Sequence, residues 1–243
     1  MKNTLIIIPT YNELENIQLM LDAVLNQNQN LHVLIVDDAS PDGTSQVVRK
    51  NIALYPNRLF MEERLGKQGL GTAYIHGFKW ALMRDYEYIF EMDADFSHDP
   101  NDLINLYEVC ANYGADLAIG SRYVKGVNVV NWPMSRVLLS YFASKYVRLI
   151  TRMNIHDTTA GFVCYRASLL RKIDLDKIKF VGYAFQIEMK FKSYLLKAKI
   201  IELPVIFTDR SRGQSKMSGG IIQEAVTGVF IMKMKSLLGQ LEI

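Results

Sequence analysis

The sequence predicts an α/β protein built on a mostly parallel sheet, and three features predict it. Short apolar runs at residues 4–9, 33–36, 88–90 and 116–120 alternate with amphipathic stretches through the first 120 positions. Turn-forming clusters such as Pro41-Asp42-Gly43 separate them. Acidic residues gather just after the apolar runs, and open α/β sheets bind their ligands at the carboxyl ends of strands.

The β-branched run 4–9 is a first strand. Asn12 and Glu15 have the spacing of a capping box, opening a helix that carries Ile17, Met20, Leu21 and Val24 on one face. Val33-Leu34-Ile35-Val36 is a second buried strand ending in Asp37-Asp38, followed by a turn and a helix. A short strand at 59–61 precedes the glycine loop 66–71 and a helix from Thr72 to about Arg84. Tyr88-Ile89-Phe90 runs into Asp93, and Asp99-Pro100 reads as an N-cap with Pro in the first turn. A strand at 116–120 closes this half. The second half is less regular: a helix at 134–152, another near 183–197, a strand at 199–207, a polar loop at 208–217 and a final helical stretch at 219–241. Leu138, Phe142, Lys145, Leu149 and Arg152 share a face of the first of these helices. Ile222, Ala225, Val226, Val229 and Phe230 form a stripe on the last. No linker is evident, so the chain reads as one domain with an elaborated C-terminal half.

At 243 residues, 49% apolar and 22% charged, the composition is that of an ordinary globular protein. Cys110 and Cys164, each inside an apolar run, read as buried thiols in a reducing compartment rather than as metal ligands. The amino-terminal apolar run is too short for a signal peptide, and no window reaches the length of a membrane-spanning helix. A cytoplasmic protein that touches a membrane surface only peripherally is expected. Charge is sorted along the chain. Residues 1–120 carry 8 Lys/Arg against 17 Asp/Glu, a net of −9, and residues 121–243 carry 20 against 8, a net of +12. An acidic half suits a cation and a basic half something anionic: nucleic acid, an anionic membrane or a phosphorylated substrate.

Asp93 and Asp95, spaced i, i+2 at the end of a strand, carry most of the chemical signal. Mg²⁺ or Mn²⁺ wants one or two protein carboxylates plus substrate phosphates, so the pair reads as a metal–diphosphate site. Asp38 can accept hydrogen bonds from a base or ribose and Tyr11 can stack or hydrogen-bond, while turn chemistry with Ser40 and Pro41 is the alternative for both Asp37 and Asp38. Arg210, Arg212 and Lys216, spaced by small residues, offer bidentate and point-charge recognition of phosphate. The glycine loop has neither Walker nor dinucleotide-fingerprint spacing, and Gly69 and Gly71 read as shaping a helix entry. His98 reads as a helix-end or solvent residue.

The strings Pro9-Thr10-Tyr11-Asn12-Glu13, Val36-Asp37-Asp38-x-Ser40-x-Asp42-Gly43-Thr44, Gly69-Leu70-Gly71-Thr72-Ala73 and Met92-Asp93-Ala94-Asp95-x-Ser97-His98 resemble a family-2 glycosyltransferase of the GT-A fold. Gly120-Ser121-Arg122-Tyr123, Asp157-Thr158-Thr159-Ala160-Gly161-Phe162, Gly182-Tyr183-x-Phe185-Gln186-x-Glu188 and Asp209-Arg210-x-x-Gly213-x-Ser215-Lys216 resemble its dolichol-phosphate (polyprenol-phosphate) mannosyltransferase branch, of the single-domain type. The resemblance implies a GT-A domain over 1–243, with 1–120 binding nucleotide and 121–243 binding acceptor through amphipathic helices. It implies that Pro9, Tyr11, Glu13, Val36, Asp38 and Ala94 hold the nucleotide sugar. It assigns metal and diphosphate to Asp93 and Asp95, with Ser97, where some relatives carry Gln, beside the metal. Arg122, Arg210 and Lys216 would handle phosphates, and Arg122, Arg136 and Ser215 the acceptor phosphate.

The activity so implied is metal-dependent, inverting transfer of mannose from GDP-mannose to a polyprenyl phosphate, with no nucleic acid involved. A phosphate monoester is already an anion near neutral pH, its second pKa being about 6, so no protein base is needed. The location implied is the cytoplasmic face of a membrane, with room for a small membrane-anchoring partner subunit. Sibling transferases of glucose or N-acetylglucosamine, or of sugar to a polysaccharide, share the pattern. A phosphohydrolase would need a second acidic pair downstream, a nucleotidyltransferase would release pyrophosphate, and a non-catalytic sugar-nucleotide sensor would need neither Arg210 nor Lys216.

Overall fold

The computed structural model describes residues 1–182, 184–209 and 220–243, the side chains of 220–225 excepted. Its main sheet has seven strands: β1 (Thr4–Thr10), β2 (Leu31–Asp37), β3 (Leu59–Glu63), β4 (Tyr88–Glu91), β5 (Leu117–Ser121), β7 (Val163–Arg166) and β8 (Ile200–Pro204). Their order is β3-β2-β1-β4-β7-β5-β8. Every pairing is parallel except the two made by β7, which runs against both β4 and β5. A two-stranded ribbon, β6 (Val129–Val130) with β9 (Phe207–Thr208), lies beyond it.

Alternation along the strands explains the layers, because successive side chains point to opposite faces. Ile6, Ile8, Val33, Ile35 and Phe90 pack with α1 (Leu14–Leu25), α2 (Thr44–Ile52) and α4 (Leu103–Ala111). Leu5, Ile7, Leu34, Ile89 and Ile119 pack with α3 (Leu70–Leu82), α5 (Met134–Thr151), α7 (Ala184–Leu195) and α8 (Gly220–Leu237). A single turn, α6 (Ala167–Leu170), follows β7. Cys110 and Cys164 are buried free thiols in the first layer.

Four differences from the sequence reading have physical causes. β7 is an added strand: its four residues are too few to show a period. The expected strand at 199–207 divides into β8 and β9 at Val205-Ile206. The expected capping box does not form. Asn12 adopts a left-handed φ of 57°, and the α1 amides are satisfied from the loop after β2. Asn12 N–H donates to Ser40 Oγ, Glu13 N–H to Thr44 Oγ1 and Leu14 N–H to Asp42 Oδ2, each at 3.0 Å. On α8, Val229 is buried at 1% exposure while Val226 and Phe230 are 46% and 54% exposed, so these three do not share one inward stripe.

The glycine loop has a packing role. α3 begins at Leu70, and Gly71 N–H donates to the Val181 carbonyl at 2.8 Å. A Cβ on Gly71 would stand 2.8 Å from Phe185 Cγ and 2.9 Å from the Phe180 carbonyl. Gly71→Ala should therefore push α7 and its entry away from α3, at a cost of about 1–3 kcal/mol in chemical denaturation. Unchanged stability would mean that residues 180–185 yield freely.

Candidate active site

The carboxyl ends of β1, β2, β4 and β5 converge with the loop that enters β7. Because β7 is antiparallel, that entry loop, residues 156–162, lies at the same edge as the carboxyl ends of its neighbours. The edge is where a doubly wound sheet offers a site.

On the β1–β2 side, Pro9 and Val36 are register partners. Asp37 is fully buried and serves the turn: Thr10 Oγ1 and Ser40 Oγ donate to Oδ1 at 2.7 and 2.6 Å, and Ser40 N–H donates to Oδ2 at 2.9 Å. Asp38 is 6% exposed and is engaged by Arg64, whose Nε donates to Oδ1 at 2.6 Å, and by Gln68 N–H at 3.3 Å. Lys67 Nζ stands 5.3 Å above the Tyr11 ring. Glu13 accepts from Asn16 Nδ2 at 3.0 Å.

Beyond β4 the chain turns sharply through Met92-Asp93-Ala94-Asp95-Phe96-Ser97. Phe96 takes a left-handed φ of 62°, a conformation that costs a non-glycine residue on the order of 1 kcal/mol or more. Asp95 is 7% exposed and accepts Ser97 N–H at 3.1 Å. Tyr74 on α3 donates to Asp93 Oδ1 at 3.4 Å. Burial and the neighbouring carboxylates push the Tyr74 phenol well up, so it stays a donor. Ala94 is buried beneath this turn.

His98 is not a solvent residue. It is 3% exposed, stacks on Phe162 at 4.9 Å and 10°, and its Nδ1 accepts Asp93 N–H at 3.1 Å. Burial lowers its pKa to about 4 despite Asp95 nearby, so the imidazole is neutral. Asp99 caps the next turn, accepting Asn101 N–H at 2.9 Å.

The opposite wall is built on Arg122, at the end of β5. Its Nε and Nη2 donate to the two oxygens of Asp157 at 2.7 Å each, its backbone N–H donates to Asp157 Oδ2 at 3.0 Å, and Nη2 reaches Thr159 Oγ1 at 2.8 Å. Its guanidinium also lies over Trp132 and Phe207, 5.5 Å from each ring. Glu202 on β8 secures the loop from below, accepting the N–H groups of His156 and Asp157 at 2.6 and 2.9 Å. Arg136, in the first turn of α5, stacks on Trp132 at 4.0 Å and pairs with Asp209 at 2.8 Å. Arg210, Arg212, Ser215 and Lys216 lie outside the described residues.

Asp93, Asp95, Ser97, His98, Arg122 and Arg136 all line one cavity of about 360 Å³. Its far wall is Leu139, Phe142, Ala143, Tyr146 and Val147 of α5 together with Val226 of α8. The cavity thus grades from carboxylates through arginines to an apolar trough. A cleft of about 510 Å³ at the amino ends of β1 and β2, lined by Lys2, His32, Arg84 and Tyr86 among others, has no comparable convergence. Tyr74, Asp157 and Gln186 belong to the candidate site, and sequence reading assigned none of them a role. Asp157 and Gln186 stand within the strings quoted for the resemblance, whereas Tyr74 reads as a core position on α3.

The carboxylate turn fits a hard divalent cation. Ser97 Oγ, 3% exposed beside Asp95, is buried without a hydrogen-bond partner among the described residues. Among those residues no cluster of three or more His, Cys, Asp or Glu could hold a metal alone. An ion here would therefore draw ligands from a diphosphate as well as from Asp93 and Asp95.

The Arg122–Asp157 pair also sets a pH dependence. Burial alone would raise the Asp157 carboxyl, but the charge and hydrogen bonds of Arg122 carry it below its ordinary value of 3.8. A lowered folded pKa means that the pair's stabilisation is complete above the ordinary carboxylate range and is lost as pH falls through the folded value. Asp157→Asn should cost about 3–5 kcal/mol at neutral pH by leaving Arg122 buried and unmatched. The gap from wild type should shrink below about pH 4, as read by denaturant melts across pH. A constant gap down to pH 2 would remove the ion pair from the account.

Residues 5–174 match the glycosyl transferase family 2 model. The chain is 45% identical over 225 residues to the polyprenol monophosphomannose synthase of Mycolicibacterium smegmatis, covering 93% of this chain and 84% of that protein. It is 48% identical over 225 residues to the undecaprenyl-phosphate mannosyltransferase of Micrococcus luteus, covering 93% and 91%. In fold it resembles a mannosyltransferase from Pyrobaculum calidifontis solved with GDP-Man and Mn²⁺, at a TM-score of 0.61 and 18% identity, over 97% of this chain and 64% of that one. The architecture is the GT-A fold, and the chain belongs to glycosyltransferase family 2.

Proposed function

We propose that this glycosyltransferase moves mannose from GDP-mannose to a polyprenyl phosphate, inverting the anomeric centre. The observation that carries the reading is the single cavity, graded from Asp93 and Asp95 through Arg122 and Arg136 to the apolar trough between α5 and α8. A water-soluble acceptor would not call for that trough. The names of the bacterial relatives, at 45% and 48% identity, support the same acceptor class.

In this reading residues 1–120 hold the donor. Pro9, Tyr11, Glu13 and Val36 border the nucleotide, and Arg64 fixes the Asp38 carboxylate toward it. Asp93 and Asp95, with Ser97, would hold Mg²⁺ or Mn²⁺, which as a Lewis acid would neutralise charge on the leaving diphosphate. Tyr74 and His98 keep Asp93 in place, through its carboxylate and its backbone N–H respectively.

Residues 121–243 hold the acceptor. Arg122 and Arg136 reduce the repulsion between two anionic substrates. The indole N–H of Trp132, buried without an acceptor among the described residues, is a further donor for a phosphate oxygen. Arg210, Ser215 and Lys216 belong to this role by the sequence pattern alone. The phosphate attacks as its own anion, so the protein positions it and need not deprotonate it. α5 and α8 carry exposed Leu138, Phe142, Leu149 and Phe230 beside Lys145 and Arg148, a composition suited to the interface of an anionic leaflet. Among the described residues no helix is long and apolar enough to cross a membrane. Peripheral attachment on the cytoplasmic side, with or without a small anchoring subunit, follows from this reading.

Asp95→Ala should abolish both transfer and metal-dependent donor binding while the fold persists. Calorimetry with GDP-mannose and Mn²⁺ tests this, and unchanged metal-dependent affinity in the variant would remove the metal from this turn. The acidic limb of the rate profile should follow ionisation of the acceptor, near pH 6 for a phosphate monoester. A more acidic phosphonate acceptor should move that limb to lower pH; an unmoved limb would assign it to a protein group.

A further inference from the structure

Beneath the cavity floor lies a set of buried polar groups that the transfer reaction above does not use. Lys190, on α7, is fully buried, as is Glu91 at the end of β4, and Gln186 is 2% exposed between them. The Lys190 ammonium donates to the Ala160 carbonyl at 2.6 Å and to Gln186 Oε1 at 3.0 Å, with the Gln186 carbonyl at 3.4 Å. The Gln186 Nε2 donates in turn to Glu91 Oε2. The chain of contacts thus runs from α7 to β4 on one side and to the 157–162 loop on the other.

The two ends of this chain lead to the two walls of the site. Glu91 precedes the Asp93–Asp95 turn by two residues. Ala160 belongs to the loop whose Asp157 and Thr159 hold the Arg122 guanidinium. Gln186 and Gly161 themselves line the cavity. Burial of an ammonium and a carboxylate is costly, and packed apolar residues are often equal or better for stability. A lysine retained there, with one donor on the 157–162 loop and another on the Gln186 side chain that itself reaches β4, serves placement.

We propose that Lys190 is a positioning residue. By tying the Ala160 carbonyl to the Gln186–Glu91 pair, it fixes the spacing between the strand end bearing Asp93 and Asp95 and the loop bearing the Arg122 anchor. The role rests on the donor and acceptor sides assigned above. Neither Lys190 nor Glu91 touches substrate; both act through the residues they hold. A displacement of about 1 Å between reacting groups can cost on the order of 100-fold in rate without loss of binding.

Lys190→Met alone would leave Glu91 buried without its counter-charge, so the informative variant is Glu91→Gln with Lys190→Met, which removes both charges together. Steady-state transfer from radiolabelled GDP-mannose to a short polyprenyl phosphate with Mn²⁺ is measured beside thermal unfolding. The double variant should unfold within a few degrees of wild type and keep the KM for GDP-mannose within about twofold, while kcat falls roughly 10- to 100-fold. Lys190→Gln, which keeps one donor for the Ala160 carbonyl, should retain more turnover than Lys190→Met. A double variant that turns over at the wild-type rate, or one that does not fold, overturns the proposal in favour of a purely structural network. A wild-type enzyme inactive with this substrate pair overturns the substrate reading, and the positioning role with it.

Discussion

The ion pair of Arg122 with Asp157 is the contact on which the site's geometry depends. Both side chains are almost wholly withdrawn from water, at 9% and 0% side-chain exposure, so each would be strongly destabilising without the other. The pair is made at the point where β5 ends and the loop into β7 begins, and so it locks two sequence-distant segments into one wall. The aromatic rings of Trp132 and Phe207 around the guanidinium extend that wall to the ribbon and to the start of α5. Glu202 gives the same loop a second anchor through its amides. Its donors and dipoles are fixed in advance, so stabilising an anion beside such a wall costs less reorganisation than in water.

Antiparallel β7 makes this possible. In a wholly parallel sheet the loop entering a strand lies at the far edge, away from the site. Reversing one strand brings its entry loop, with Asp157, Thr159 and Gly161, to the edge where β4 ends in Asp93 and Asp95. The acidic half of the chain and the basic half then meet across one cavity. The charge sorting seen along the sequence becomes a separation across a few side chains, the one that the proposed transfer between two anions would call for.

Much of the sheet was legible because strands buried on both faces are continuous apolar runs, and the carboxylates after them mark the carboxyl-end edge where the candidate site lies. β7 was not legible, since Val163-Cys164-Tyr165-Arg166 is too short for a period and its direction depends on partners distant in sequence. The amino-terminal cap of α1 was misread for a related reason: Ser40, Asp42 and Thr44 supply it from another loop, and local spacing cannot report a contact across 28 or more residues. Asp93 and Asp95 were visible as residue types at a strand end. Tyr74 and His98, which hold Asp93, were not, because an aromatic on a helix face and a lone histidine look the same whether they support a site or merely fill a core.

The buried lysine extends this point from geometry to energetics. α7 is buried along nearly its whole length, yet it carries Gln186, Glu188, Lys190 and Lys192 inward. Glu188 satisfies the amides of Lys179 and Phe180 at 2.9 and 3.1 Å, which closes the turn that Gly71 packs against. Lys190 and Gln186 face the other way, to the 157–162 loop and β4. One helix therefore contacts the turn beside the glycine loop, the 157–162 loop and the strand that leads into the Asp93–Asp95 turn. An apolar helix could fill the same volume, but it would offer no directional contact to hold three loops in register. Hydrogen bonds, unlike apolar contacts, are directional and weaken steeply as they bend. The proposed transfer, which joins two charged groups, has use for that directionality at the floor of the cavity.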